Sequence, residues 1–437
     1  MRLSPTHHEV WRLAGPMILS NLSIPLIGIV DTAVMGHLPD PQYIGAVAVG
    51  SMIFSFVFWG FGFLRMATTG LTAQAFGADN YARVRHLLLR AASFALLLAA
   101  ALVALGGPLQ SAAFWLIDAS QNVEMLATEY FTVRIWSSPA TLLNYVLIGW
   151  FLGLQSARGP LIMLLTTNVT NIVLDLYFVV HLGWTVNGVA TASVIAEYTG
   201  LVTGLVLLVR RWRPIAGPIN IARLWRWSEL TAELAVNRDI FIRTLCLIFA
   251  FAFFTQAGAS QGDVILAANA ILMNLQGLMA YGLDGFAHAA EALVGKALGR
   301  RNRSELSQTL RAVFAWSLGT AVLATLAFAV AGNALIGLMT DLPEVMASAA
   351  AFLPWMIASP LISVWSFVLD GIFIGASRGS DMRNGMIASL LAYLGVYYLL
   401  EQLFEFGNHG LWISFMVFLI ARALSLAWYL RRQPLLQ

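Results

Sequence analysis

Four residues inside long apolar stretches have side chains suited to binding or transferring a small cation. Asn168, Asn171 and Asp175 recur at i, i+3 and i+7, a spacing that places them on one face of a helix. Asp31 lies alone in an earlier apolar stretch. Ionisable groups in such stretches are costly, and carboxylate and amide oxygens accept protons or hard cations. Cation binding is therefore the chemistry that these residue types predict.

The composition places these residues in a membrane protein. Of the 437 residues, 59% are hydrophobic and only 11% are charged, and the mean hydropathy is +0.76. Soluble domains carry about 25% charged residues, which excludes a soluble enzyme, a disordered regulator and a nucleic-acid-binding protein. The single cysteine, Cys246, allows no intramolecular disulfide.

Twelve apolar segments are long enough to cross about 30 Å of hydrocarbon as helices, and we number them as spans 1 to 12. Their predicted limits are 10–35, 43–76, 85–109, 124–155, 160–182, 188–209, 239–259, 264–298, 310–339, 347–374, 384–401 and 410–430. The predicted fold class is an all-α membrane protein with twelve transmembrane helices.

The basic residues fall in alternate connections between the spans. All but one of the 25 Lys and Arg residues are Arg, and the connections after spans 1, 3, 5, 7, 9 and 11 contain none of them. The positive-inside rule therefore places the basic connections and both chain termini in the cytoplasm. Two cytoplasmic termini require an even number of spans, which agrees with twelve.

Short sequence matches recur at a nearly constant spacing. Residues 73–80 resemble residues 295–302 at a spacing of 222, and residues 156–159 resemble residues 376–379 at a spacing of 220. This repetition predicts two pseudo-symmetric six-helix bundles with the same orientation. Parallel repeats of this kind are typical of transporters, which place the substrate path between the two halves.

The repeat divides the chain into three predicted parts. The N-terminal six-helix lobe covers residues 1–209, a cytoplasmic linker covers residues 210–238, and the C-terminal six-helix lobe covers residues 239–437. Residues 224–227 of the linker read Leu-Trp-Arg-Trp. This amphipathic segment is predicted to lie along the membrane surface.

The predicted topology brings five polar side chains to a similar depth in the outer half of the N-terminal lobe. They lie on spans 1, 4, 5 and 6 and are Asp31, Tyr130, Asn171, Asp175 and Thr191. A shared polar cavity explains their common depth, and Asn168 extends it along span 5 as a further candidate residue. The alternative is that Asp175 and the two asparagines join helices as packing contacts.

The C-terminal lobe does not repeat this chemistry. The spacing of 220 pairs Asp175 with Gly395, and the spacing of 222 pairs Asp31 with Phe253. Spans 8 and 10 carry other ionisable residues, namely Asp284, His288, Glu291 and Asp370. We expect a structural or gating role for these residues, with a second ion site as the alternative. The sequence shows no nucleotide-binding motif, metal-ligand spacing or catalytic triad, which predicts neither an enzyme nor a cofactor.

These residues make the sequence similar to the multidrug and toxic compound extrusion (MATE) family over essentially the whole chain, most closely its DinF branch. The similarity is carried by Gly15-Pro16, residues 31–36, residues 74–77, residues 153–159 and residues 171–175. It implies two six-helix lobes facing a cleft, and export of cationic amphipathic drugs against H+ or Na+. The sodium-coupled NorM branch uses carboxylates of spans 7, 8 and 10, a pattern that this sequence fits poorly.

The resemblance also implies roles for individual residues. The DinF-branch cation site matches Asp31, Asn171, Asp175 and Thr191, and Tyr130 matches a tyrosine of span 4. Pro16 matches a proline at which the first helix bends in the family. From the sequence, Pro16 and Pro25 are the two candidate hinges of span 1.

The favoured prediction is a proton-coupled multidrug antiporter that functions as a monomer in the inner (plasma) membrane of a bacterial or archaeal cell. Two carboxylates in one poorly hydrated cavity repel each other, so one of them should hold a proton near neutral pH. Asp31→Asn and Asp175→Asn should abolish export, and Asp284→Asn and Asp370→Asn should do less damage. The alternatives are Na+ coupling at Asp31, Asn171, Asp175 and Thr191, and a flippase for a lipid-linked substrate.

Overall fold

The computed structural model describes residues 5–35, 40, 42–117, 120–212, 224 and 226–436, and all regular structure within them is helical. Each span is formed by one helix or by two consecutive helices. In span order these are Pro5–Met35; Gln42–Gly60 with Phe63–Gly77; Tyr81–Ala104; Gln121–Arg134 with Ser138–Gly153; Arg158–Asp175; Val186–Trp212; Trp227–Ala259; Asp263–Gly299; Arg303–Met339; Pro343–Gly375; Gly379–Phe404; and Gly407–Arg432.

The helix lengths fit the predicted membrane crossings. Spans 2 to 12 give eleven helical runs in the described ranges that are long and apolar enough to cross a membrane. The helix of span 1 has 31 residues and is about 46 Å long at 1.5 Å per residue. The predicted all-helical membrane fold is confirmed.

Two predicted spans are interrupted by breaks that the apolar pattern does not reveal. Span 2 is split between Gly60 and Phe63, and span 4 is split by a 3-10 turn, Ile135–Ser137. Pro139 stands in the first turn of the second helix of span 4. A proline lacks an amide hydrogen and is tolerated there, which explains why a new helix starts at this point.

The connection after span 3 contains a helix that the sequence pattern did not predict. The helix Gly106–Leu116 has no charged residue, and Trp115 at its end is 85% exposed. Tryptophan is enriched where a membrane meets water. An exposed tryptophan on a short uncharged helix fits a segment that lies at this interface.

The neighbouring helices extend into the predicted linker 210–238 from both ends. The helix of span 6 continues to Trp212, and the 33-residue helix of span 7 begins at Trp227. Residues 227–238 therefore belong to span 7. Residues 213–223 and Trp225 lie outside the described residues, so the predicted surface segment is described only in part.

The chain forms two compact units. One is Leu19–Ala232, which we call the N-terminal unit. The other, which we call the C-terminal unit, combines the chain up to Ile18 with the chain from Glu233 onward. The predicted N-terminal lobe, 1–209, differs from the first unit because it includes the start of span 1.

Aromatic and ionic contacts explain why the start of span 1 belongs with spans 7 to 12. The Trp11 ring makes T-shaped contacts with Phe286 at 5.3 Å and with Trp316 at 5.2 Å. Glu9 pairs with Lys296 at 3.5 Å. The division between the units therefore falls inside a continuous helix.

The same close helix contact occurs once in each unit. Gly149 of span 4 lies against the carbonyl of Arg65 in span 2, where a Cβ would collide. Gly371 of span 10, its counterpart at the spacing of 222, lies in the same way against the carbonyl of Ala287 in span 8. Glycine permits this close approach of backbones in a membrane protein. The repeat is thus expressed in the packing as well as in the sequence.

The loops repeat at the same spacing. Left-handed residues occur at Asp79 and Arg301, at Gln155 and Ser377, and at Gly183 and Glu405, and the spacing within each pair is 222. The sequence match between 156–159 and 376–379 was therefore placed in the wrong register by two residues. A shared Arg-Gly pair favoured the shorter spacing, but the backbone turn decides the register.

Candidate functional site

Asp31 and Asp175 form the centre of the candidate site, in the unit Leu19–Ala232. Asp31 is 8% exposed and Asp175 is fully buried. Their carboxyl groups are close enough to hydrogen-bond to each other when one carries a proton. Among the described side chains, no donor reaches Asp31 Oδ1 or either carboxylate oxygen of Asp175. Two ionised carboxylates can only accept hydrogen bonds, so a single shared proton would satisfy both groups.

The end of the regular helix in span 5 positions Asp175. The α-helix Arg158–Asp175 stops at this residue, and a π-helical turn, Leu176–His181, continues the span. Such turns are rare, shift the backbone hydrogen bonds by one residue and frequently occur at functional sites. The sequence pattern predicts one continuous helix and gives no sign of this turn.

Asn168 joins span 5 to span 1 at a second level. Its Nδ2 donates to Ser23 Oγ at 2.6 Å, and Ser23 Oγ donates to the Ser20 carbonyl at 2.6 Å. The intervals from Ser23 to Asp31 and from Asn168 to Asp175 each correspond to about two helical turns. Spans 1 and 5 therefore run in register, with an amide–hydroxyl contact at one level and the acid pair two turns further along.

Asn171 contacts Ser193 of span 6, the span that also carries the predicted site residue Thr191. Asn171 Nδ2 donates to Ser193 Oγ at 3.2 Å, and both residues are buried. Thr191 and Ser193 lie on the same helix, Val186–Trp212. Two residues correspond to about 200° around a helix, so their side chains face different directions. Ser193 is thus the residue of span 6 that contacts Asn171, and the role of Thr191 in the site stays a prediction.

Tyr130 is buried in span 4, within electrostatic range of both acids. Its hydroxyl lies 3.2 Å from Ser51 Oγ of span 2. Gly50 lies against the Tyr130 ring, and a Cβ at this position would collide with it. The glycine therefore lets the tyrosine pack beside span 2, close to the acid pair.

Asp370, the secondary candidate of span 10, has a different environment in the other unit. Its Oδ2 accepts hydrogen bonds from Arg422 at 2.6 Å and from Arg243, and all three residues are buried. Asp284, half-buried on span 8, lies within electrostatic range of Arg422. Two guanidinium groups neutralise Asp370, so it connects spans 7, 10 and 12 as the centre of an ion-pair cluster.

The remaining buried carboxylates also have basic partners. Asp239 Oδ1 lies 2.7 Å from Arg383 Nη1, and Glu291 Oε1 lies 3.3 Å from His288 Nδ1. In the described part of the chain, only Asp31 and Asp175 are buried acids whose close ionisable neighbour is another acid. This difference distinguishes the candidate site from the other buried charges.

Pro16 and Pro25, the candidate hinges, both lie within the continuous helix Pro5–Met35. A proline inside a helix removes one backbone hydrogen bond and favours bending at that point. The boundary between the two compact units falls between Ile18 and Leu19, and therefore between the two prolines.

The fold and the site together define a class of protein. Long apolar helices, two units with recurring contacts, and a buried acid pair in one of them are the features of a membrane transporter built from internal repeats. The MatE family model matches residues 16–177 and again residues 240–400, once in each half of the chain. The chain belongs to the MatE family of multidrug transporters, as the sequence resemblance predicted.

Relatives of known name support this assignment. The chain is 42% identical over 432 residues to the DNA damage-inducible protein F of Escherichia coli K12, covering 98% of this chain and 93% of that protein. It is 26% identical over 447 residues to the probable multidrug resistance protein NorM of Rhizobium meliloti, covering 97% and 93%.

Solved structures share the fold. A MOP superfamily transporter from Pyrococcus furiosus superimposes with a TM-score of 0.87 at 18% identity, covering 98% of this chain and 96% of that chain. An outward-facing multidrug resistance MATE family transporter gives the same TM-score, identity and coverage.

Proposed function

We propose that this protein is a proton-coupled antiporter that exports cationic amphipathic compounds across the plasma membrane, with both termini in the cytoplasm. The observation that carries the proposal is the buried pair Asp31 and Asp175, in which Asp31 Oδ1 and both carboxylate oxygens of Asp175 have no donor among the described side chains. One proton would satisfy this pair, and its loss would leave two negative charges in a dry site. The pair is thus a site whose charge changes with each proton that binds or leaves.

The proton would alter the contact between spans 1 and 5. A protonated carboxyl donates a hydrogen bond across the pair and draws the two spans together, whereas two ionised carboxylates repel each other. The Ser23–Asn168 contact, at 2.6 Å, anchors span 1 two turns away. Movement of Asp31 relative to this anchor requires span 1 to bend between them, and Pro25 lies in that interval.

The negative charge of the ionised acid pair favours a cationic cargo. When the proton leaves on the cytoplasmic side, the ionised pair attracts an organic cation, and the buried aromatic residue Tyr130 offers apolar and π surface beside it. A proton from the outside then displaces the cation. Proton and drug therefore compete for the same negative charge, which couples their opposite movements by alternating access. A lipid-linked pyrophosphate, being anionic, would be repelled by the same pair.

Sodium is the second candidate for the coupling ion. Asn171 Oδ1 also receives no hydrogen bond from the described residues, so the site offers acceptor oxygens from an amide as well as from two carboxylates. Oxygen-only sets of this kind suit hard cations. The proton is favoured because the two acids already face each other and need no further ligand.

Transport assays with purified protein in proteoliposomes test the proposal, with ethidium as the probe. An imposed pH gradient should drive ethidium transport by the wild type, and Asp31→Asn or Asp175→Asn should reduce it at least tenfold. Asp284→Asn should have a smaller effect, and Asp263→Asn, at the exposed start of span 8, serves as the matched control. A sodium gradient without a pH gradient should not drive transport.

The outcomes separate the alternatives. Transport by Asp31→Asn at the wild-type rate, with normal yield and a monodisperse elution profile, would refute the assignment of the coupling site. Transport driven by a sodium gradient alone would show that Na+, and not the proton, is the coupling ion. Loss of transport only in Asp284→Asn would move coupling to the C-terminal unit.

A further inference from the structure

A second charged pair lies in the unit Leu19–Ala232, which also contains the two acids. Arg134 Nη2 of span 4 lies 3.8 Å from Glu197 Oε1 of span 6, and Asn144 Nδ2 donates to Glu197 Oε2 at 3.0 Å. The side chains of Arg134 and Glu197 are 13% and 20% exposed. Solvent therefore screens these charges weakly, and they act on neighbouring groups over longer distances than surface charges do.

The position of the arginine is fixed at the break in span 4. Arg134 is the last residue of the helix Gln121–Arg134, and its guanidinium donates to Ser137 Oγ. The guanidinium carbon also lies 5.4 Å from the centre of the Phe58 ring and 5.8 Å from that of Phe54. These contacts fix the position of the guanidinium group and therefore of its positive charge.

The arginine lies within electrostatic range of one of the two acids. It interacts with Asp31 of span 1 and with Tyr130, one turn away on its own span. The titratable and charged groups that face the two pairs come from spans 1, 2, 4, 5 and 6 and are Asp31, Arg65, Tyr130, Arg134, Tyr145, Asp175 and Glu197. Arg65 is the other cation among them, and it acts on Tyr145 together with the Arg134–Glu197 pair.

The repeat provides an internal comparison. At the spacing of 222, the counterparts of Arg134 and Glu197 are Met356 and Leu419, and both are buried. The C-terminal unit therefore builds the same helix arrangement with apolar side chains at these positions. Replacing a buried ion pair by packed apolar residues is often neutral for stability, so the fold alone does not require the pair. The pair occurs in the unit that also contains the two acids.

We propose that Arg134 and Glu197 are positioning residues that set the pH at which the Asp31–Asp175 pair exchanges its proton, an inference that rests on the proposed function. The positive charge of Arg134 favours ionised carboxylates and so promotes proton release. Glu197 partly neutralises Arg134 and so promotes proton uptake. The balance of the two charges places the exchange between the pH values of the two membrane sides.

The two halves of the ion pair must therefore act in opposite directions. Arg134→Gln removes the positive charge, so the acids should hold their proton to higher pH. Glu197→Gln removes the negative charge and leaves Arg134 unbalanced, so the acids should lose their proton at lower pH. If the pair were purely structural, both substitutions would break the same contact, and the pH of half-maximal transport would not move in opposite directions.

The test measures ethidium transport by full-length protein in proteoliposomes over a pH series at a constant pH difference. We expect the pH of half-maximal transport to rise by at least about half a unit in Arg134→Gln and to fall by at least about half a unit in Glu197→Gln. Arg134→Lys, which keeps the charge, should stay near the wild type. The double variant Arg134→Met with Glu197→Leu copies the C-terminal unit, and its half-maximal pH should also return toward that of the wild type.

The outcomes distinguish this inference from the proposed function. Shifts in the same direction, or no shift, in variants of a wild type that does respond to pH would overturn the role of Arg134 and Glu197 alone. A wild type without any pH response would overturn both proposals. Should Arg134→Gln fail to fold, Glu197→Gln still decides, because a rise or an unchanged half-maximal pH contradicts the expected fall.

Discussion

Phe253 and Tyr397 make a T-shaped contact with 5.0 Å between their ring centroids, and the repeat spacing of 222 makes them the counterparts of Asp31 and Asp175. The acid pair of one unit is thus replaced by an aromatic pair in the other. The counterpart of Asn171 at this spacing is Tyr393, which also contacts Phe253, at 5.4 Å.

The exchange extends to span 6. Phe415 is the counterpart of Ser193 at the same spacing, and its ring lies 6.3 Å from that of Tyr393, as Ser193 lies beside Asn171. The two repeats share the same contacts between helices but differ in the residue types at those contacts. Aromatic side chains release no proton in the physiological pH range. The equivalent positions therefore contribute to packing in the C-terminal unit, whereas in the N-terminal unit they include carboxyl groups that can titrate.

The ion-pair cluster of the C-terminal unit should contribute to stability rather than to coupling. Asp370→Asn leaves the buried guanidinium groups of Arg243 and Arg422 without their carboxylate, which costs about 3–5 kcal/mol when one partner of a buried pair is lost. We expect a clear fall in the thermal unfolding temperature of the protein in detergent. Asp341→Asn, at an exposed position before span 10, is the control and should unfold at the wild-type temperature.

The sequence favoured a structural or gating role for Asp370, with less damage to export than from substitution of Asp31 or Asp175. It gave no sign of the basic partners, because Arg243 and Arg422 come from spans 7 and 12, far from Asp370 in the chain. A loss of transport in Asp370→Asn as large as that expected for Asp31→Asn, without a fall in the unfolding temperature, would contradict the structural role.

Span 6 offers a test of which hydroxyl supports the site. Ser193→Ala removes the acceptor of Asn171 Nδ2 and leaves a buried donor unsatisfied, at a cost of about 1–3 kcal/mol. Thr191→Ala, two residues earlier on another face of the helix, should be the milder change. Ethidium transport rates of the two variants, normalised to protein in the membrane, give the comparison. Greater damage from Thr191→Ala would show that the family pattern, and not the Ser193 contact, identifies the functional residue.

The sequence predicted those features that follow from local chemistry. Apolar length defined the spans, and the spacing of Asn168, Asn171 and Asp175 placed a polar face on span 5. The predicted topology put Asp31 and Asp175 at a similar depth, and in the structure the two carboxyl groups lie close together. These predictions depend on residue type, helical periodicity and the alternation of basic connections.

Features that depend on backbone geometry or on distant partners were not predictable in this way. The π-helical turn after Asp175 leaves the hydrophobic pattern unchanged, and the direction of Ser193 depends on the rotation of span 6. The register of the repeat was decided by left-handed turns at Gln155 and Ser377. A match of identical residues contains no information about such turns.

The hinge of span 1 can be tested by restoring its missing backbone hydrogen bonds. Pro16→Ala and Pro25→Ala supply the amide hydrogen that proline lacks, so the helix should become stiffer without loss of stability. We expect each variant to transport ethidium several-fold more slowly, since the proposed mechanism requires span 1 to bend in each cycle. Pro343→Ala, at the first position of the span 10 helix, is the control, because proline there leaves no helical bond unmade. Rates equal to the wild type in both variants would exclude a proline hinge.

The orientation in the membrane can be tested with single cysteines in a Cys246→Ala background. The linker after span 6 is predicted to be cytoplasmic, and the connection after span 3, which lacks basic residues, is predicted to face outward. A membrane-impermeant maleimide applied to intact cells should therefore label Ser120→Cys and leave Ala216→Cys unlabelled until the cells are permeabilised. The proposed coupling mechanism depends on this orientation, because in it the proton enters the Asp31–Asp175 pair from the outside and leaves on the inside. Labelling of Ala216→Cys in intact cells would show that the protein has the opposite orientation in the membrane. The expected direction of transport driven by a pH gradient would then also be reversed.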